Sequence, residues 1–325
     1  MGQDRLTNGI RIKGNYDYSI ADTRSLVEDD FIGYKDLHAA TEGVLKVLSD
    51  SIVDTTPVTT GGYEEYTIID VNAIDEKRKV RPVNTELFIS DVEEFNQTAN
   101  EFKAFLSELA SEQGITESTS DQHSKFLDEN GINEVLYTMA QGVGIGLDAL
   151  SSNKNKARKH AGLRFESVVE KVVDELNIEN DNHLFRLPIP ESNDTYRCEI
   201  DMILSPHEDI QSTKTALNPD ETVVSIKTTS KDRMTKVFTD KMLMSQFLNQ
   251  DVQLLGLFLN DIQRKGESGV SSTFVANNYY IYYEYLTPLE GTYFIDPPSK
   301  INEAGYQDKL STFKQLILED IWDYC

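Results

Sequence analysis

Two short runs, Cys198-Glu199-Ile200-Asp201-Met202-Ile203-Leu204 and Val223-Val224-Ser225-Ile226-Lys227, have strand composition, and each carries a charge that burial penalises. Asp201 stands between apolar Ile200 and Met202, and the two-residue period of a strand puts Glu199 on its face. Lys227 likewise shares a face with Ser225. A lysine in a strand otherwise fit for burial is costly unless a carboxylate or an anionic ligand lies opposite, so Asp201 is its expected partner. Asp240 follows thirteen residues after Lys227 on the next helical stretch, and Glu166 lies upstream on a long helix. This set has two readings. Two or three carboxylates at a strand edge make a hard-oxygen site for Mg²⁺, with the lysine holding water or stabilising charge on a phosphodiester. Alternatively, Asp201 and Lys227 form a structural ion pair.

Around these runs the second half predicts helix over 155–176, strands over 196–204 and 222–228, helix over 231–247, strands over 251–259 and 279–286, and a closing helix over 307–322. That order implies an α/β (α+β) fold, a mixed sheet flanked by helices. The first half reads as mainly helical. Helices are expected over 36–53, over 90–112 with Ser90 as the cap, and over 132–150 despite Gly142, Gly144 and Gly146. Short strands are expected over 65–71 and 86–89. The boundary between an acidic N-terminal region (1–150) and a core (151–325) falls near residue 150.

The 325 residues carry 31 Lys and Arg against 55 Asp and Glu, a net charge of −24. Such a balance argues against binding polyanions over the whole surface. Residues 1–150 hold 12 of the cations and 28 of the acids. By contrast, 154–164 holds Lys154, Lys156, Arg158, Lys159 and Arg164 with no acid, and 227–241 holds five cations, including Lys236. These islands suit phosphate contact, since each neutralised phosphate releases counterion; a solvated helix face would look the same. Two distant cysteines give no disulfide framework, and neither a signal sequence nor a membrane span is visible, so a reducing cytoplasmic setting with no membrane partner is expected.

Asp201 with Ser225-Ile226-Lys227 resembles the PD-(D/E)XK signature of type II restriction endonucleases, in the variant of the EcoRII/PspGI/NgoMIV-like (CCGG-type) group. In that group serine stands at the vacated acid position, here Ser225, and the missing acid comes from the next helix, here Asp240. The family usually carries Glu there, and Asp reaches less far. Lys231-Asp232-Arg233 resembles the group's recognition motif at plus four, five and six from the lysine. Arg and Lys suit guanine O6/N7, and an acid suits cytosine N4. Glu166, in Arg164-Phe165-Glu166, resembles the acid on the first core helix.

The resemblance covers roughly residues 155–298. It implies a restriction-endonuclease-like core that hydrolyses duplex DNA at a CC/GG-containing site. Asp201, Asp240 and Glu166 would hold Mg²⁺, and Lys227 would position water. Lys231, Asp232 and Arg233 would read bases, while Lys154, Lys156, Arg158, Lys159, Arg164 and Lys236 would contact the DNA backbone. A homodimer and a cognate DNA methyltransferase are further implied. The alternatives are a catalytically inactive or non-specific DNA-binding protein with this fold, and an acidic scaffold.

Lesser signals point elsewhere only weakly. The five histidines lack zinc spacing, although His160 could join the first basic island. Asn277-Asn278-Tyr279-Tyr280-Ile281-Tyr282-Tyr283-Glu284-Tyr285 reads as a buried strand rather than a base-stacking surface. Gly142-Val143-Gly144-Ile145-Gly146 is no dinucleotide fingerprint, and no Walker A motif occurs.

Overall fold

A computed structural model describes the chain except residues 1–4, 8, 9, 13–15, 60, 75, 152, 153, 231 and 232; the side chains of 5–7, 10–12, 118, 154–156, 158 and 159 also lie outside the described set. Contacts divide the chain into two compact units. The first comprises Met1–Glu108, Glu117–Val172 and Ile262–Ser272. The second comprises Leu109–Thr116, Val173–Asp261 and Thr273–Cys325. Residue 150, the expected boundary, falls inside the first unit.

The first unit contains the hairpin β1 (Arg5–Thr7) and β2 (Ile10–Ile12), then α1 (Ile20–Glu28) and α2 (Tyr34–Ser51). A small antiparallel sheet follows: β3 (Ile52–Pro57), β4 (Tyr66–Val71), β5 (Arg78–Lys79) and β6 (Val83–Asn84). Next come α3 (Val92–Glu112), α4 (Glu117–Gln122), α5 (Ser124–Leu127), α6 (Gly131–Leu150) and α7 (Lys154–Glu175). The tails of α3 and α7 run into the second unit.

α6 is buried on nearly all sides, which its continuous apolar sequence requires. Its glycines do not break it, because each fits a close approach. A Cβ at Gly146 would meet Val44 Cγ2 at 2.5 Å, and one at Gly142 would meet Thr41 Cγ2 at 3.2 Å, so this row of α6 lies tightly on α2. A Cβ at Gly144 would meet Arg81 Nη1 at 2.2 Å.

The second unit is built on a sheet of order β14-β13-β10-β9-β8-β7 among the described residues. Its strands are β7 (Glu179–Pro188), β8 (Thr195–Ser205), β9 (Thr222–Thr229), β10 (Leu254–Asn260), β13 (Gly291–Phe294) and β14 (Ser311–Thr312). The missing numbers, β11 (Ile262–Lys265) and β12 (Gly269–Ser272), form a hairpin that belongs to the first unit. β7, β8 and β9 are antiparallel, and β9, β10, β13 and β14 are parallel, so the sheet is mixed as expected. α8 (Met234–Leu248) makes the crossover from β9 to β10, and α9 (Ala276–Tyr285) and α10 (Phe313–Leu318) come later. Val237, Phe238 and Met244 of α8 join Cys198 and Ile200 of β8 in the core. Among the described residues no helix is long and apolar enough to cross a membrane.

Four local expectations are corrected. The tyrosine-rich stretch is the helix α9, not a strand. Tyr279, Tyr282 and Tyr283 follow helical spacing, with Tyr279 buried against Phe238 and Phe274. The closing helix is shorter than expected, because Ser311–Thr312 pairs with β13 and Thr312 Oγ1 caps α10 by accepting from Gln315 N. Residues 86–89 are not a strand: Asn84 Oδ1 accepts from Glu86 N at 3.0 Å and turns the chain after β6. The cap of α3 is Asp91 rather than Ser90, accepting from Glu93 N at 2.9 Å and Glu94 N at 3.1 Å.

Candidate active site

β8 and β9 pair from Leu204↔Thr222 to Met202↔Val224, where their pairing ends. Asp201 stands at this fork, where its side chain takes up what the ladder leaves. Asp201 Oδ2 accepts from Ile226 N at 2.7 Å and Ser225 Oγ at 3.3 Å, and it ion-pairs with Lys227 Nζ. Lys227 Nζ also donates to its neighbour's carbonyl, Ile226 O, at 3.1 Å. The structure therefore brings together three of the expected residues, Asp201, Ser225 and Lys227. Their position is stiff, since β9 is buried on both sides before this point. Asp201 and Lys227 themselves keep 19% and 16% of their side chains exposed, enough to meet a ligand.

Every hydrogen bond to Asp201 among the described residues ends on Oδ2, which leaves Oδ1 for a cation. Asp240 is mostly buried on α8 and ion-pairs with Lys236. Burial of Lys236 opposes its charge, but the hydrogen bond and charge of Asp240 outweigh it and hold its pKa above the usual value. Burial, followed by the negative charge of Asp240, pushes the Cys198 thiol up to about 11; Lys236 opposes this, and Asp201 and Glu199 add to it. Asp240 and Asp201 thus act on one common neighbour. Among the described residues no group of three or more His, Cys, Asp or Glu side chains is gathered for a metal. A divalent ion held by one or two carboxylates plus water and substrate phosphate still fits this donor set, as Mg²⁺ commonly binds.

The remaining candidates divide. Glu166 is half-buried on α7 in the first unit. Lys231 and Asp232 lie outside the described residues, as do the side chains of Lys154, Lys156, Arg158 and Lys159. Arg233 is exposed at the start of α8. Lys236 is half-exposed and engaged with Asp240. Arg164 is a correction to the backbone-contact set. It is 4% exposed, donates to Asp30 Oδ1 at 2.6 Å and Glu28 O at 3.3 Å, and lies over the Phe31 ring, so it anchors the end of α1 and has no reach to a phosphate. His160, a member of the same basic stretch, is half-buried, with a buried Nδ1 that has no hydrogen-bond partner among the described residues.

A buttress beneath the expected reading segment was not foreseen. Ser230 is buried, and its Oγ lies 2.9 Å from Thr273 Oγ1, which also lies 3.1 Å from Thr229 Oγ1 and donates to Asp261 O at 2.8 Å. Ser230 O in turn accepts from Arg233 N and Met234 N, starting α8. One hydroxyl on a distant segment thus ties the end of β9, at Thr229 and Ser230, to Asp261, and nothing in a lone threonine's sequence context signals this. Thr273→Val should lower the melting temperature while Thr273→Ser retains it, since only serine keeps a hydroxyl for these bonds, and thermal unfolding of both variants checks this.

No family model matches this chain, and no curated protein matches it. Solved structures do. The crystal structure of the Type IIP restriction endonuclease Kpn2I aligns with a TM-score of 0.67 at 18% identity, covering 94% of this chain and 97% of that one. The restriction endonuclease PspGI with substrate DNA aligns at 0.42 and 12% identity, covering 68% of this chain and 92% of that one. Metal-depleted Ecl18kI with uncleaved DNA aligns at 0.33 and 16% identity, covering 92% and 82%. The last two superpose too loosely to bear on the fold, but the first spans nearly the whole of both chains. This chain has the restriction-endonuclease-like fold.

Proposed function

We propose that the chain is a Mg²⁺-dependent type II site-specific deoxyribonuclease that hydrolyses duplex DNA at a CC/GG-containing site. The observation that carries this reading is the fork at Asp201, where a carboxylate with one open oxygen meets a lysine on a rigid strand. In this reading Asp201 and Asp240 would hold Mg²⁺, which when bound supplies Lewis-acid polarisation of the scissile phosphodiester. Asp201 keeps Lys227 and Ser225 in register through Oδ2. The Lys227 ammonium orients the attacking water and offsets charge developing on the phosphate. Lys231, Asp232 and Arg233 read base edges. Two-fold DNA sites call for a homodimer, and a cognate methyltransferase protects the host's own sites.

One observation favours a second reading, a nuclease fold kept for DNA binding alone: Asp240 is engaged by Lys236. A Mg²⁺ titration on plasmid DNA separates the two. Cleavage should require Mg²⁺ and stop with chelator, and Asp240→Ala should raise the Mg²⁺ needed by about tenfold or more. Binding without cleavage at any Mg²⁺ concentration would favour the second reading.

A further inference from the structure

The first unit contains a cleft of about 540 Å³ lined by Lys77, Arg78, Lys79, Arg81 and Arg264. Asp148 is the one carboxylate among its described lining residues, and Arg81 takes both of its oxygens, through Nε at 2.8 Å and Nη2 at 3.2 Å. Arg81 Nη1 has no hydrogen-bond partner among the described residues. Among the described residues Arg264 bonds only the carbonyl of Lys79, at 3.2 Å, and no carboxylate pairs with it. Lys77 pairs with the buried Asp70 at 2.9 Å and with Asp54 at 3.6 Å, and Lys79 pairs with Asp70 at 3.6 Å and with the exposed Glu267 at 3.4 Å. Arg78 is held by the carbonyls of Ala149 and Ser151 and by Glu76.

These cations are positioned, not merely numerous. Gly144 leaves the space that the Arg81 guanidinium fills, and a Cβ there would collide with it. Glycine inside a helix is less stable than alanine, so the fold gives up helix stability where Arg81 is seated. Ala157 also lines the cleft. It belongs to the basic stretch 154–164 of the sequence.

We infer that this cleft is a second phosphate-binding site, one that takes the phosphodiester backbone of nucleic acid. A backbone suits it better than a lone anion because the row from Lys77 to Arg81 extends up to about 13 Å at strand rise. That is roughly the axial length of four nucleotides on one strand. The inference rests on the reading of the chain as a DNA enzyme, and it adds a contact made by the unit that lacks Asp201 and Lys227.

The test is duplex binding by the full chain with no divalent metal, followed across salt concentrations. Arg264→Glu should weaken binding about tenfold at low salt and lower the salt slope by about one, while Arg264→Lys retains both. Arg264→Gln, which keeps a donor for the Lys79 carbonyl, should show the same loss in smaller degree and guards against misfolding of the reversal variant. Unchanged affinity and slope in Arg264→Glu and Arg264→Gln would overturn the inference. So would inorganic tripolyphosphate stabilising the wild type through Arg264 while duplex binding ignores that residue, which would make the cleft a small-anion site. Because no metal is present, failure to cut DNA is scored separately: a chain that binds through Arg264 but never cleaves loses the nuclease reading and keeps the cleft.

Discussion

Lys227→Ala should lower DNA cleavage by about 10²–10⁴-fold, the range expected for loss of one positioned proton-transfer or charge-stabilising group. Binding to duplex DNA without cleavage should remain. The protein should also stay folded, because Asp201 retains its bonds from Ile226 N and Ser225 Oγ, but loss of its mostly buried partner should lower the melting temperature, so cleavage is scored per folded molecule. This separates the two readings open from the start. If the pair were only structural, Lys227→Ala would lower the melting temperature and leave cleavage per folded molecule unchanged. Steady cleavage in the variant would sink the mechanism.

Glu290→Ala should destabilise the fold by about 3–5 kcal/mol, because it strands a buried cation. Lys241 is 1% exposed on α8, and its ammonium donates to Glu290 Oε1 at 2.6 Å and Pro288 O at 2.7 Å. Glu290 Oε2 also accepts from Leu254 N at 2.6 Å, fixing the first residue of β10. The pair thus ties α8, which carries Asp240, to the parallel half of the sheet. Lys241→Met should cost much less, since the carboxylate it leaves unpaired is partly open to water and still accepts from Leu254 N. Urea unfolding of both variants checks this. Equal stability losses would show that the charge is not what matters at this position.

The parts of the fold legible in sequence were those where one period dominates. β8 and β9 announce themselves because a charged residue interrupts an apolar run, and the interruption is itself the site. α2, α6 and α7 carry long apolar stripes. β7 was missed because Asn180, Asp181, Asn182 and His183 break its alternation, as an edge strand allows. α9 was misread because alternating tyrosines satisfy a two-residue period and a helical one equally, and only the packing of Tyr279 decides between them.

Charge was legible in amount and not in direction. Arg164 belongs to a basic run by composition, yet it turns inward to Asp30. In contrast, Lys77-Arg78-Lys79-Val80-Arg81 holds four cations in five residues but was hidden by averaging over an acidic half. The net of −24 describes the whole surface, whereas phosphate binding depends on where the few cations gather.

The most direct measurement is digestion of unmodified phage DNA by the purified chain in Mg²⁺, resolved by electrophoresis. A fixed set of discrete fragments whose ends map to one CC/GG-containing sequence is expected, and none in chelator. A smear, or intact DNA in the presence of folded protein and Mg²⁺, would contradict it.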